Sequence, residues 1–236
     1  MMIAAPLSRN IKTGLKTAGV YYSIIIAVFF ILPFFGRLLP FFSFNSNGGF
    51  EACTMVFMFI MGLVSVKSNL KTGIALSRGR TTIVLASALS LVAMSLVTSV
   101  ADALLNPLAH LIHNQIDAMG LVFELYGVES FWVYLAWRFL LYTFLSCGGF
   151  FLASLNYRMN KPLRWAFWIA VPSLLFIVLP IVAVADQGEF AYWLGMAFYN
   201  CFAKSVGNCC ISFTVLSIAA IALSYLILRK APIDRE

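Results

Sequence analysis

An all-α, polytopic membrane protein is expected from this chain: six transmembrane helices, an N-terminal interfacial helix and a re-entrant helical element before the last span. Three observations carry that expectation. Of 236 residues, 62% are hydrophobic and 11% charged, with mean hydropathy +0.93; a soluble domain carries roughly a quarter charged residues. No polar stretch is long enough for a soluble domain, so one membrane domain over residues 1–236 is expected. Lys and Arg gather in alternate loops and Asp and Glu in the loops between, and Lys/Arg-rich loops stay in the cytoplasm.

The elements follow in order. Residues 6–18 place Leu7, Ile11 and Leu15 on one stripe, with Ser8, Arg9, Lys12 and Lys16 off it; that pattern predicts a short amphipathic helix on the inner membrane face. The first span is expected at 19–35, ended or kinked by Pro33 and Pro40. The second, at 50–66, is short, and the third, at 81–105, is rich in Ser, Ala and Val, which let helices approach closely. An outer segment is expected over 106–130, opened by Pro107. The fourth span, 131–155, carries Trp132, Tyr134 and Trp137 at the outer belt. The fifth, 165–185, has Trp165 and Trp168 at the inner interface and Pro172 and Pro180 to bend it. Residues 190–205 are apolar but adjoin the sixth span, 206–228. A single crossing needs about 20 residues, so 190–205 is read as re-entrant or interfacial.

Charge supports this threading. All of the 16 Lys and Arg except Arg37, Arg138 and Lys204 fall on the inner side, and of the nine acids only Asp234 and Glu236 do. Both termini are therefore expected in the cytoplasm of a multi-pass cell-membrane protein. The N-terminal apolar run is long and lacks a small-residue cleavage site, unlike a secretory signal. The net charge of +7 lies in juxtamembrane loops that meet anionic lipid headgroups, so membrane lipid and not nucleic acid is the expected partner. Cys53, Cys147, Cys201, Cys209 and Cys210 contain no C-x-x-C pair and predict no disulfide framework.

Candidate sites are few. Arg138 lies seven residues into the fourth span, about 10 Å deep, where an unpaired Arg costs roughly 2.5–3.5 kcal/mol or more. Asp102, near the outer end of the third span, is its expected partner, as a gate or a structural pair. Arg37 with Glu51 is a second candidate pair. His110 and His113, with Asp117 four residues on, share a helix face but lack a further ligand, so no metal site is expected. The basic segment 67–80 is compatible both with an ordinary inner loop and with a short helix, about 70–76, that docks on a cytosolic partner. No phosphate-binding G-x-x-x-x-G-K-[ST] loop and no G-x-S-x-G elbow occur.

The run FIMGLVSVKSNLKTGIALSRGRTT, residues 59–82, resembles the second-to-third span connection of ABC-2-type transporter permeases of Gram-positive bacteria, and the block 150–180, with its run LASLNYRMNKP, is similar to their fourth-to-fifth connection. The six-span plan with its interfacial and re-entrant helices also fits them. The resemblance implies the transmembrane permease subunit of an ABC exporter, not an enzyme itself, that works as a dimer with a second, identical or related permease copy. ATP and Mg would be held by separate cytosolic ATPase subunits. These would contact a coupling helix made by Leu70, Lys71, Ile74, Leu76, Ser77, Arg78 and Arg80, with Arg158, Lys161 and Arg164 as a second inner contact. Amphipathic or antimicrobial-type peptides are the implied cargo. Without ATPase partners the chain would be a channel, a carrier or a membrane-bound enzyme. A carrier needs an ionisable site near mid-membrane, where Arg138 is the one deep charge.

Overall fold

The computed structural model describes residues 4–38, 49–75, 79–112, 125–127, 130–173 and 189–229. Among them there is no strand, and the long helices are α1 Ala4–Leu38, α2 Gly49–Ala75, α3 Arg80–Ile112, α4 Phe131–Arg158, α5 Lys161–Ser173, α6 Glu189–Phe198 and α7 Val206–Arg229. Four stretches are long and apolar enough to cross a membrane: Glu51–Leu70, Arg80–Leu105, Phe131–Arg158 and Val206–Arg229.

The side-chain distribution is that of a protein dissolved in lipid. In α3 the buried face holds Ser87, Ser90, Ser95, Thr98, Ser99 and Asp102, while Leu85, Leu89, Leu96 and Leu104 point outward. In α2, Glu51, Thr54 and Met58 are buried while Val56, Ile60 and Val64 are exposed. In α7, Cys209, Ser217 and Ser224 are buried and Ile211, Val215 and Ile218 exposed. Water would favour the reverse arrangement. Lipid offers no hydrophobic drive between helices, so small and polar faces pair and apolar faces meet the acyl chains.

α4 is the hub, packed on α2, α3 and α7. Its inward stripe steps by four residues, Tyr134, Arg138, Tyr142, Ser146, Phe150 and Ser154, the spacing that keeps side chains on one helix face. Two glycines let it meet α2 backbone to backbone. A Cβ on Gly62 would fall into the Ser146 carbonyl, and one on Gly149 into the Phe59 carbonyl. Glu51 pairs with Arg138 while Gly62 meets Phe150, so α2 and α4 run in the same direction. α3 is antiparallel to them, with Ser95 beside Ser146 and Asp102 beside Tyr142. α7 runs with α4, since Phe213 lies against Trp137 and Phe144, and Leu228 shares a core with Val66, Leu70, Ile83 and Phe150. The Arg80 guanidinium fastens the start of α3 to the end of α7 through the Arg229 carbonyl at 3.1 Å.

Several helices outrun their expected ends. The expected break between an interfacial helix and a first span is absent, because α1 is continuous through Gly19 and Pro33. Gly14 lies against Met94 and Tyr22 against Thr98, so α1 runs alongside α3 and in its direction. α3 passes Pro107, expected to open the outer segment, and reaches Ile112. α2 continues through Lys67 to Ala75, so residues 70–75 are its last turns rather than a separate coupling helix. The expected fifth span is described only as far as Ser173, as α5.

Residues 189–203 form a helical stretch separate from α7. α6 leads into a π turn, Tyr199–Ala203, closed by the Lys204 amide on the Tyr199 carbonyl at 2.8 Å. Freed carbonyls there are taken by side chains: Cys201 by Ser212 at 3.0 Å, Asn200 by Asn208 at 3.3 Å, and Phe202 by the Tyr126 hydroxyl. Burial pushes the Tyr126 phenol above its ordinary range, with Cys209 adding to the effect.

Candidate functional site: a buried ionic and tyrosine cluster

One end of the bundle encloses three charges. Arg138 on α4, Glu51 on α2 and Asp102 on α3 are each at most 2% exposed. Charges at such a position must be paired or neutralised, because the surroundings cannot solvate them.

Arg138 forms its ion pair with Glu51, not with Asp102. The side chain of Arg37, the other expected partner of Glu51, lies outside the described residues; the expected Asp102–Arg138 pair is therefore corrected. The reason is the glycine crossing. It fixes the register of α2 on α4 and brings the first turn of α2 to the level of Arg138. The guanidinium carbon lies 3.9 Å from the centre of the Tyr134 ring, a cation–π contact. The Tyr134 hydroxyl in turn donates to Glu51 Oε1 at 3.3 Å. Arg138 Nε and Nη1 and the Trp137 indole N–H, all buried, have no hydrogen-bond acceptor among the described residues.

Asp102 instead sits in a ring of hydroxyls. Tyr142, one turn beyond Arg138 on α4, contacts Asp102 Oδ2 at 2.5 Å. The Tyr22 hydroxyl on α1 lies 2.7 Å from Oδ1 and 3.1 Å from the Thr98 carbonyl. Thr54 on α2 also reaches the carboxyl, and its hydroxyl is 3.0 Å from that of Tyr21. Tyr21 stacks on Phe57 with ring centres 4.0 Å apart. Four helices are thus joined at one carboxylate and one ion pair.

The described residues of the two basic junctions lie at the opposite end of the bundle. Leu70 is buried with Val66, Ile83 and Leu228, and the neighbouring Asn69 donates to Ser87 at 2.8 Å. Lys71 and Ile74 lie in the last turns of α2, and Leu76, Ser77 and Arg78 lie outside the described residues. Arg80 is held by the α7 terminus. Arg158 is exposed at the end of α4 and Lys161 opens α5. Arg164 caps α4 by donating to the Asn156 carbonyl at 3.0 Å. The side chain of His110, and all of His113 and Asp117, lie outside the described residues, as do Pro180 and Asp186.

Glu51, Tyr22, Thr54, Tyr134 and Tyr142 are site residues that sequence reasoning did not bring together. The spacing of Tyr134, Arg138 and Tyr142 at four-residue steps was the available signal for the α4 part. Nothing in the sequence marks Tyr22 and Thr54, whose roles depend on tertiary register. No family model, no curated protein and no solved structure matches the chain.

Proposed function

We propose that this chain is the transmembrane permease subunit of an ATP-driven ABC exporter, with both termini in the cytoplasm, carrying amphipathic or antimicrobial-type peptides outward. The observation that carries the reading is the α2–α3 junction. Its basic residues resemble the connection that receives the ATPase stroke in ABC-2-type permeases. Leu70 and Asn69 seat the C-terminal part of α2 against α3, α4 and α7, so a push on the end of that helix passes into the bundle. With no phosphate-binding loop in the sequence, ATP and Mg belong to partner ATPase chains. A second permease copy completes the path. Arg158, Lys161 and Arg164 at the α4–α5 junction supply a further inner contact.

The test is purification of the tagged chain from its native membrane with whatever ATPase accompanies it. ATP hydrolysis is expected in the eluate, stimulated by amphipathic peptides, and Lys71→Glu with Arg78→Glu should release the ATPase while the permease stays folded. A folded wild-type chain that carries no ATPase activity sinks the proposal. The buried Glu51–Arg138 pair and Asp102 favour one second reading, a carrier without ATPase partners. That reading predicts uptake or efflux in vesicles of the purified chain that needs an ion gradient and no ATP.

A further inference from the structure

We infer that the outward flank of α1 binds one anionic phospholipid, whose phosphate is held by Arg9, Lys12 and Lys16. α1 turns Gly14, Ala18 and Ile25 into the bundle, with Gly14 against Met94 of α3. At about 100° per residue, Arg9, Lys16 and Val20 fall on the opposite side of the helix, with Lys12, Thr13 and Ile24 flanking them. All of these are exposed. A shallow groove along this flank is lined by Ser8, Arg9, Lys12, Thr13, Leu15 and Lys16. The three cations lie within about two turns of helix and form no ion pair among the described residues.

The depth of these cations calls for a counter-charge. Gly14 is level with Met94, inside the apolar stretch Arg80–Leu105, where an unsolvated cation is expensive. A phosphate supplies the missing charge and accepts charge-assisted hydrogen bonds from guanidinium and ammonium groups. It also brings its hydration water, which keeps the flank wet. Basic clusters beside membrane helices attract anionic headgroups for the same electrostatic reason.

The order of residues along α1 favours a lipid over a free anion or an acidic protein segment. Past Lys16 the same side continues with Val20 and Ile24, 62% and 58% exposed. α1 runs with α3, so the cations come first from the end where Arg80 lies and the apolar residues follow. A phospholipid in the leaflet at that end has the same order, headgroup first and then acyl chain. Its headgroup meets the cations, and a chain lies along Val20 and Ile24. Free phosphate leaves the apolar half of the strip unused, and an acidic segment sets charge against it. The inference does not depend on whether an ATPase drives transport.

Native mass spectrometry of the full chain from non-ionic detergent, titrated with phosphatidylglycerol, tests it by counting bound lipids. The first phosphatidylglycerol should bind about tenfold more tightly than phosphatidylcholine of the same chain length, and Lys12→Gln with Lys16→Gln should weaken it by about tenfold or more. Lys67→Gln with Arg229→Gln removes the same charge from exposed positions at the end of the bundle and should leave the first site nearly unchanged. Arg9→Gln alone carries the test should the Lys12 and Lys16 double variant not fold. Equal weakening by the two double variants overturns the inference, because general charge then explains the binding. Inorganic phosphate that displaces the lipid at equal concentration overturns it in favour of a free-anion site. An acidic protein that shields Lys12 and Lys16 from acetylation in native membranes, where added phosphatidylglycerol does not, overturns it in favour of a protein partner.

Discussion

Arg138 shows how one residue sets the demands on its neighbours. It is fully buried, and its charge is balanced by Glu51 and spread over the Tyr134 ring. Removing one partner of a buried pair strands the other and costs about 3–5 kcal/mol, while replacing both with apolar residues of similar volume is often neutral or stabilising. Glu51→Gln should therefore lower the midpoint of thermal unfolding in detergent far more than the double replacement Glu51→Met with Arg138→Met. If the double variant is the less stable of the two, Arg138 is held by contacts other than the ion pair. The sequence announced that Arg138 needs a partner, because an Arg seven residues into an apolar run cannot stand alone. It did not announce which partner. Asp102 and Glu51 both fall near the same end of the bundle, and the choice was made by the register of α2 on α4.

That register is a property of the elements. α2 and α4 touch where Gly62 faces Ser146 and Phe150 and Gly149 faces Phe59 and Leu63. Gly148, one position away, would place a Cβ in open space. The two neighbours thus predict opposite results for one substitution. Gly148→Ala should be tolerated and gain up to about 1 kcal/mol of helix propensity. Gly62→Ala or Gly149→Ala must push the backbones apart, with a cost of about 1–3 kcal/mol or more. Fluorescence-detected size-exclusion chromatography after graded heating separates these outcomes, and equal survival of Gly149→Ala and Gly148→Ala would refute the close crossing. Of the six expected spans, the four matching α2, α3, α4 and α7 were legible from apolar runs, and the start of α7 from the excess length of 190–228 for one crossing. The ends of α1, α2 and α3 were not. Pro33 and Pro107 read as breaks, but a proline removes only one helical hydrogen bond and the helices carry through it. Lys67–Ala75 reads as a polar turn, yet Leu70 gains a buried seat in the core when the helix continues.

At the scale of the molecule, the question is which surfaces face lipid. Lys67, Arg80, Arg158 and Arg229 gather at one end of the four long helices, and the Glu51, Asp102 and Arg138 cluster lies toward the other. α1 complicates this order. Gly14 is level with Met94, 14 residues beyond Arg80, or about 21 Å along α3. Arg9, Lys12 and Lys16 are exposed on that part of α1. They therefore flank the middle of α3 instead of lying at the inner face as expected for an interfacial helix. Three cations on a lipid-facing surface at that depth would each cost roughly 2.5–3.5 kcal/mol. This flank of α1 should consequently face water or protein. Single cysteines at Thr13, Ser68 and Ser130, in a chain whose five native cysteines are replaced by serine, make the point testable with a membrane-impermeant maleimide. Ser130 should react from outside intact cells, Ser68 only after the cells are opened, and Thr13 should react with the water-soluble reagent in the purified protein in nanodiscs. Reaction of Ser68 and Ser130 from the same side would overturn the threading. A Thr13 site that reacts only with a lipid-soluble maleimide would mean that α1 slides along α3 in the membrane, returning its cations to the inner face.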